Sequence, residues 1–506
     1  MDRGKKAFYN SAASAVSQIV TMICGFILPR LILSRFGSAY NGVTASVTQF
    51  LSVIALLRAG VGGATRASLY KSLAKKDTEQ ISATVRATEI FMRKVALIFL
   101  GITAVFSVAY PFLVREEFEW GFTASLVLII SFSTFVQYFF GITYQMLFQA
   151  DQRQYISISF EILAVILNTV IAAVLIRMGV GIHGVKLGSA AAFSITPVAL
   201  NILAKKRYHL NHQAKPDFSS IGQRWDAFFH QVAAFVHNNT DITLLTLFTN
   251  TREISVYTVY YLVANGLKSL MNTLMIGVEA AFGNILANGE TETLQKDLSH
   301  FETMLHVIGG FLFSAAAVLV TPFVQVYTRG VTDVNYQRDL FGYLGIFGEL
   351  LFVLRSPYEA LVNAAGHYKQ TKKFAFMEAG INLGTSIVMI QFFGLTGVVI
   401  GTVIAIAFRK IVYARYASEN IVRRGTGVFW KRFGVTLLNA VSVFGLTRFL
   451  PVPEMCSYLN WIIYAAEVAA VAGLLTLAWN MLFYREELSV LLKKVAGILS
   501  GVLKRR

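Results

Sequence analysis

The chain has 506 residues, is 55% hydrophobic and carries a formal net charge of +17, with a mean hydropathy of +0.57. The apolar excess recurs end to end as runs of about 20 residues, each long enough to cross a bilayer as a helix, which excludes a soluble multidomain protein. The basic excess sits in short segments between those runs, so it points to topology and anionic membrane lipids and leaves no basic soluble domain for nucleic acid.

In hydrocarbon the backbone must satisfy its own hydrogen bonds, so each run is read as a helix. Fourteen spans are predicted, near 11–33, 42–66, 91–114, 120–144, 155–177, 182–204, 226–248, 254–282, 301–327, 339–365, 374–394, 396–415, 430–450 and 458–483. The first follows Arg3, Lys5 and Lys6 without a small-residue cleavage site and is read as an uncleaved span. The second and eighth are the weakest, being rich in Gly, Ser, Thr and Asn. Lys and Arg gather in and beside the two termini and the even-numbered connections, as in Lys71, Lys75 and Lys76, Lys205 to Arg207, and Lys372 and Lys373. That bias places both termini in the cytoplasm. The connection 283–300 dissents with Glu290, Glu292 and Asp297, but acids weigh little in the rule. Trp120, Trp225, Trp430 and Trp461 fall near predicted helix ends, where indoles favour the headgroup zone. Cys24 and Cys456 cannot build a disulfide framework or a metal site. The tail after Tyr484 is short, basic and amphipathic, which suits a helix lying on the cytoplasmic surface.

The two halves resemble each other at an offset of about 214 residues. Tyr144 to Ala150 answers Tyr358 to Ala364, Asn168 answers Asn382, and Gly181 to Gly188 answers Gly394 to Gly401. Upstream, Gly60 and Val61 answer Gly277 and Val278 with a slip of a few residues. An offset of six helices preserves orientation, so the repeats are parallel. The expected architecture is all-α and membrane-integral: an N-lobe (1–204), a cytoplasmic linker (205–225), a C-lobe (226–415), a final helix pair (416–483) and a cytoplasmic tail (484–506). Gly184 with Gly188, and Gly397 with Gly401, are read as sites of close helix packing.

A charge within a span is costly and faces a cavity or a partner. Arg30, Arg58, Arg66, Lys186, Lys268 and Arg355 are the cations of this kind. Arg30, Arg58 and Lys268 lie in the first, second and eighth spans, which repeat symmetry would bring to the gap between lobes. Ser11, Ser14, Gln18, Thr21 and Gly25 form a polar stripe on the first span, and Arg58, Gly62 and Thr65 share a face of the second. Such a seam suits an anionic pyrophosphate, with Arg offering a planar fork and Lys a point charge. Substrate contact is therefore assigned to Arg30, Arg58, Lys268, Gln18 and Thr65. Arg66 and Lys186, near helix ends, are read as snorkelling or pairing with acids. The intramembrane acids are Glu161, Asp241, Glu279, Glu349, Glu359, Glu378 and Glu467. His237 and Asp241, four apart, and Glu279 are the candidates for holding a coupling ion, with a local hydrogen-bonded pair as the simpler reading of the first two. Pro29 and Pro357 are expected to kink or end their helices. No phosphate-loop, zinc-protease or nucleophile-elbow motif is present, so no catalytic residue and no cofactor is assigned.

With these features in place, the chain resembles the oligosaccharide-lipid flippases of the multidrug/oligosaccharidyl-lipid/polysaccharide exporter superfamily. The likeness is carried by Asn10 to Gly37, with Gln18-Ile-Val, Gly25-Phe-Ile-Leu-Pro-Arg-Leu-Ile-Leu and Phe36-Gly37, and by Gln49 to Gly63 followed by Leu69-Tyr-Lys-Ser-Leu-Ala. The resemblance implies outward movement of an undecaprenyl-pyrophosphate-linked sugar unit across a bacterial cytoplasmic membrane by alternating access. It also implies coupling to a proton or sodium gradient and work beside polysaccharide assembly machinery. Related lipid II flippases use basic residues in the first two spans and the eighth, an arrangement that Arg30, Arg58 and Lys268 resemble. A drug/cation antiporter of the same superfamily is the first alternative. A membrane-embedded polymerase or ligase is the second, and the short outside loops speak against it.

Overall fold

The computed structural model describes residues 3–211, 213–221, 239–275, 277–451 and 457–490, without the side chains of residues 3, 55–60, 220 and 221. Among the described residues every regular element is helical. In chain order they are α1 (Arg3–Phe36), α2 (Ser38–Leu51), α3 (Ile54–Lys75), α4 (Thr78–Leu113), α5 (Trp120–Val136), a π-turn (Gln137–Gly141), α6 (Ile142–Ala150), α7 (Gln154–Arg177) and α8 (Ile182–Tyr208). Then follow α9 (239–248), α10 (Thr251–Leu274), α11 (Val278–Ala287), α12 (Thr291–Tyr327), α13 (Asp339–Ala364), α14 (Tyr368–Phe393), α15 (Leu395–Ala417), α16 (Gly427–Thr447) and α17 (Tyr458–Phe483). Short single-turn elements lie at Phe218–Ile221 and Ser418–Val422, and residues 485–490 are also helical.

Eleven helical stretches among the described residues are long and apolar enough to cross a membrane. Large apolar side chains point outward along them, Val105, Phe112 and Leu474 among them, as a lipid-facing surface requires. The chain is a multi-pass integral membrane protein. Of the other three predicted spans, 42–66 corresponds to α2 and α3, 430–450 to α16, and 226–248 falls mostly outside the described residues.

The two weakest predicted spans are discontinuous. The second is interrupted at Ser52 and Val53, between α2 and α3, by a turn whose backbone stays right-handed and in which Ser52 still donates to the Thr48 carbonyl at 3.1 Å. The eighth breaks between α10 and α11, where Gly277 takes φ 84°, a left-handed value that a side chain would strain. The sequence reading treated each as one run. Pro29 and Pro357, expected to kink or end helices, lie inside the continuous α1 and α13.

By contacts the chain divides into two compact units, residues 1–256 and 257–506. In the first, α4 packs on α5, α5 on α8 and α7 on α8, while α1 lies along α7. Its core gathers Val43, Val47, Phe99, Leu126 and Tyr110. Residues 239–256 belong to this unit because α2 is hydrogen-bonded to them. Asn41 donates to Ser255 at 2.9 Å, Ser46 and Thr246 hydroxyls lie 2.7 Å apart, and Gln49 and Ser52 both reach Asn239. In the second unit α12 packs on α13, α13 on α15 and α14 on α15, so the pairings of the first unit recur in the same order. The final helices α16 and α17 pack on α12 and on each other, with Val443, Tyr464 and Val468 in the shared core.

The α14–α15 contact rests on glycine. A Cβ at Gly397 would meet the backbone of Met389, and one at Gly401 would meet Ser386. Gly188 stands in the same way against Ile171 and Leu175 of α7. Gly401→Leu is expected to overpack this contact and cost about 1–3 kcal/mol. Thermal unfolding of the purified protein checks it: a midpoint equal to that of wild type would mean the helices have room to spare.

Candidate functional site

Of the predicted substrate cations, Arg30 lies on α1, Arg58 on α3 and Lys268 on α10. Arg58 occupies α3 just after the break at Ser52 and Val53, and its side chain lies outside the described residues. Lys268 occupies α10 before the break at Gly277. Its ammonium lies 3.1 Å from a Glu349 carboxylate oxygen and 3.9 Å from the centre of the Phe352 ring. The Arg355 guanidinium lies 4.6 Å from that same ring. Arg30 is half-buried in α1. Gln18 is exposed. Thr65 is fully buried, with its hydroxyl 3.2 Å from that of Thr88. That contact joins α3 to α4. Arg66 donates to the Gln149 side chain at 3.2 Å.

Of the coupling-ion candidates, His237 lies outside the described residues. Asp241 is buried at the start of α9. Glu279 is exposed on α11, immediately after the break, and accepts a hydrogen bond from Asn363 at 3.4 Å.

The second unit also holds ionic networks that the sequence reading missed. Glu378 is fully buried on α14 between two guanidiniums: Arg355 at 2.7 Å and Arg409. Both arginines also reach Glu359, each at 3.2 Å. Two acids and two bases close a neutral ring, which is how charges persist away from water. Nearby, buried Glu302 on α12 takes Arg424 and Arg432, and Arg432 donates to Ser299 at 2.6 Å. Lys410 is buried with its ammonium 3.3 Å from the centre of the Phe433 ring. The first unit has a counterpart: Glu89 on α4 takes Arg86 at 3.2 Å and Arg93 at 2.5 Å, with the Tyr144 hydroxyl at 3.5 Å. Glu89 and Glu302 are separated by nearly the repeat offset, as are Tyr144 and Tyr358. The span predicted from the sequence starts near 91 and puts Glu89 in a connection, whereas α4 begins at Thr78 and carries it. The repeat register, extended upstream, was the signal that could have found the pair.

The first unit contains two adjoining cavities of mixed polar and apolar lining that share Ser133, Thr134, Gln137 and Phe193. One, of about 300 Å³, is lined by Ser17, Thr21, Gln145 and Glu161; the Gln145 amide donates to Glu161 at 2.8 Å. The other, of about 470 Å³, is lined by Thr44, Thr48, Asn168, Lys186 and Ser189. The face of α1 that meets the first cavity therefore carries Ser17 and Thr21 and leaves Gln18 off it. Lys186, read from the sequence as a helix-end lysine, lines the second cavity. The π-turn supplies Gln137 to both, in keeping with the tendency of such turns to occur at functional positions.

No family model matches the sequence, and no curated protein matches it. Solved structures do. The chain is similar to the lipid II flippase MurJ in an inward closed conformation, at 15% identity and a TM-score of 0.69, over 94% of this chain and 98% of that one. It is similar to an inward-facing multidrug resistance MATE family transporter of the MOP superfamily, at 17% identity and a TM-score of 0.56, over 84% and 96%. It is also similar to the eukaryotic MATE transporter AtDTX14, at 14% identity and a TM-score of 0.54, over 93% and 98%. The chain has the MOP superfamily fold.

Proposed function

We propose that the protein is a flippase that carries an oligosaccharide linked through pyrophosphate to a polyprenyl lipid from the cytoplasmic to the outer leaflet of a bacterial cytoplasmic membrane. The observation that carries this reading is Lys268, a half-buried cation on α10 within the discontinuous eighth span, with Arg58 on α3 of the second span as its counterpart in sequence. Discontinuous helices are where transporters of many folds hold their substrates. Lys268 already holds a carboxylate at 3.1 Å, so its ammonium is an anion-binding group whose occupant a phosphate oxygen can replace. Arg30 on α1 adds a third positive group to the set. The similarity to a protein named for flipping lipid II supports a lipid-linked substrate. Alternating access, coupling to a proton or sodium gradient, cytoplasmic termini, contact with anionic lipids and association with polysaccharide assembly machinery belong to the same reading.

A drug/cation antiporter is the second reading, favoured by Glu161 in the smaller cavity of the first unit and by the likeness to MATE transporters. Reconstitution separates the two. Vesicles holding the purified protein and a fluorescent undecaprenyl-pyrophosphate-linked sugar in one leaflet are expected to lose protection of the label from an impermeant quencher, faster than protein-free vesicles. Uptake of a cationic dye against a proton or sodium gradient, with no movement of the labelled lipid, would replace the flippase by the antiporter.

A further inference from the structure

Among the described residues, several buried or half-buried cations differ in what they face. Arg355, Arg409, Arg424, Arg432 and Lys268 each face a carboxylate at ion-pair distance. Lys186 has no carboxylate and no hydrogen-bond acceptor paired with it among the described residues, yet it lines a cavity of about 470 Å³. Lys410 also has no acidic partner among the described residues, but its ammonium is capped by the Phe433 ring at 3.3 Å and lines neither of the two cavities described. Of these cations, Lys186 combines an unclaimed charge among the described residues with space in front of it.

The rest of the lining tells what that space suits. Thr48, Ser133, Thr134 and Ser189 offer hydroxyls, and Gln137 and Asn168 offer amides. The amides and the Ser133 and Thr134 hydroxyls can both donate and accept, as a sugar ring's hydroxyls do, while the Thr48 and Ser189 hydroxyls donate to the Thr44 and Val185 carbonyls and are left as acceptors. No acid is among the lining residues, so the charge at Lys186 is left for a ligand to balance. The volume falls in the range of small-molecule sites, about 300–1,000 Å³. A lysine gives a rotatable point charge rather than the planar fork that arginine offers to phosphate, which suits a single carboxylate on a ring that is otherwise held by neutral groups.

We infer that this cavity is a glycan subsite that selects an acidic sugar, with the Lys186 ammonium pairing a uronate-type carboxylate while the surrounding hydroxyls and amides hold the ring. The inference rests on the flippase reading and narrows its substrate to oligosaccharides bearing a carboxylate. It is separate from the set Arg30, Arg58 and Lys268, which is assigned to the pyrophosphate.

Binding to the purified full chain in detergent tests it, using a glucuronosyl-glucose disaccharide and the neutral glucosyl-glucose as probes. The acidic disaccharide is expected to bind wild type and Lys186→Arg alike, and Lys186→Met at least about tenfold more weakly, the loss of one charge-assisted hydrogen bond. The neutral disaccharide is expected to bind more weakly than the acidic one and to be indifferent to Lys186→Met. Asn168→Leu, which keeps the charge, is expected to weaken both probes together. Equal binding of the acidic probe to wild type and Lys186→Met overturns the subsite. So does absence of sugar binding to wild type, or displacement of the acidic sugar by an equal concentration of inorganic phosphate, which makes the cavity an inorganic-anion site. The Lys186-dependent pattern without any lipid-linked glycan crossing vesicles would leave the subsite standing and remove the flippase.

Discussion

Glu378→Gln is expected to lower the stability of the protein by about 3–5 kcal/mol, the usual penalty for removing one partner of a buried ion pair. Glu378 is fully buried and stands between Arg355 and Arg409. Without its charge, two guanidiniums are left to share Glu359, whose side chain is 32% exposed. The neutral glutamine also cannot accept a charge-assisted hydrogen bond from both. Thermal unfolding of the purified variant is the measurement. Glu359→Gln, at the exposed edge of the same ring, is expected to cost much less, since solvent already screens that carboxylate. Adding Arg409→Gln to Glu378→Gln restores neutrality and is expected to recover part of the loss. If Glu378→Gln unfolds at the wild-type temperature, the ring does not exist in the folded protein.

Lys268→Ala is expected to cut transport of a pyrophosphate-linked lipid about tenfold or more, from the loss of a charge-assisted contact to phosphate. Glu349→Gln is expected to act the other way on binding. It removes the carboxylate that competes for the Lys268 ammonium at 3.1 Å, so soluble pyrophosphate should inhibit this variant at severalfold lower concentration than wild type. Lys268→Arg, which keeps the charge, is expected to retain most of the transport. Opposite effects of the two neutralising variants distinguish a substrate cation from a structural ion pair, because a structural pair would suffer from either change alike. Transport by Lys268→Ala at the wild-type rate would remove Lys268 from the substrate path.

Much of the architecture was legible because hydrocarbon leaves an apolar run of this length no alternative to a helix. The repeat was legible where small residues fix close contacts, as at Gly188 and Gly401. The second and eighth spans stood out as weak, but apolarity cannot tell a weak helix from a broken one; the positive φ at Gly277 is a backbone fact. Charged groups hid the true helix starts. Glu89 and Arg93 read as the edge of a span, whereas in the folded protein they neutralise each other inside α4. Glu302 meets Arg432 across 130 residues of sequence, and no local pattern announces such a partner. Lys186 shows the same limit of a local pattern. One turn from a helix end it looked like a headgroup lysine, and the cavity beside it exists only because α2, α5, α7 and α8 come together there.

The π-turn at Gln137–Gly141 has a consequence for how this helix tolerates change. Ser133, Gln137, Gly141 and Gln145 recur every four residues and all line the same cavity. In an unbroken α-helix that row would wind around the axis by roughly 120° over its length. One surplus residue absorbed by the wider turn cuts the drift to about 20°. A water-facing stripe is thus kept straight by a count of residues rather than by their kind, and deleting a single residue there would harm this helix more than most exchanges of one side chain for another.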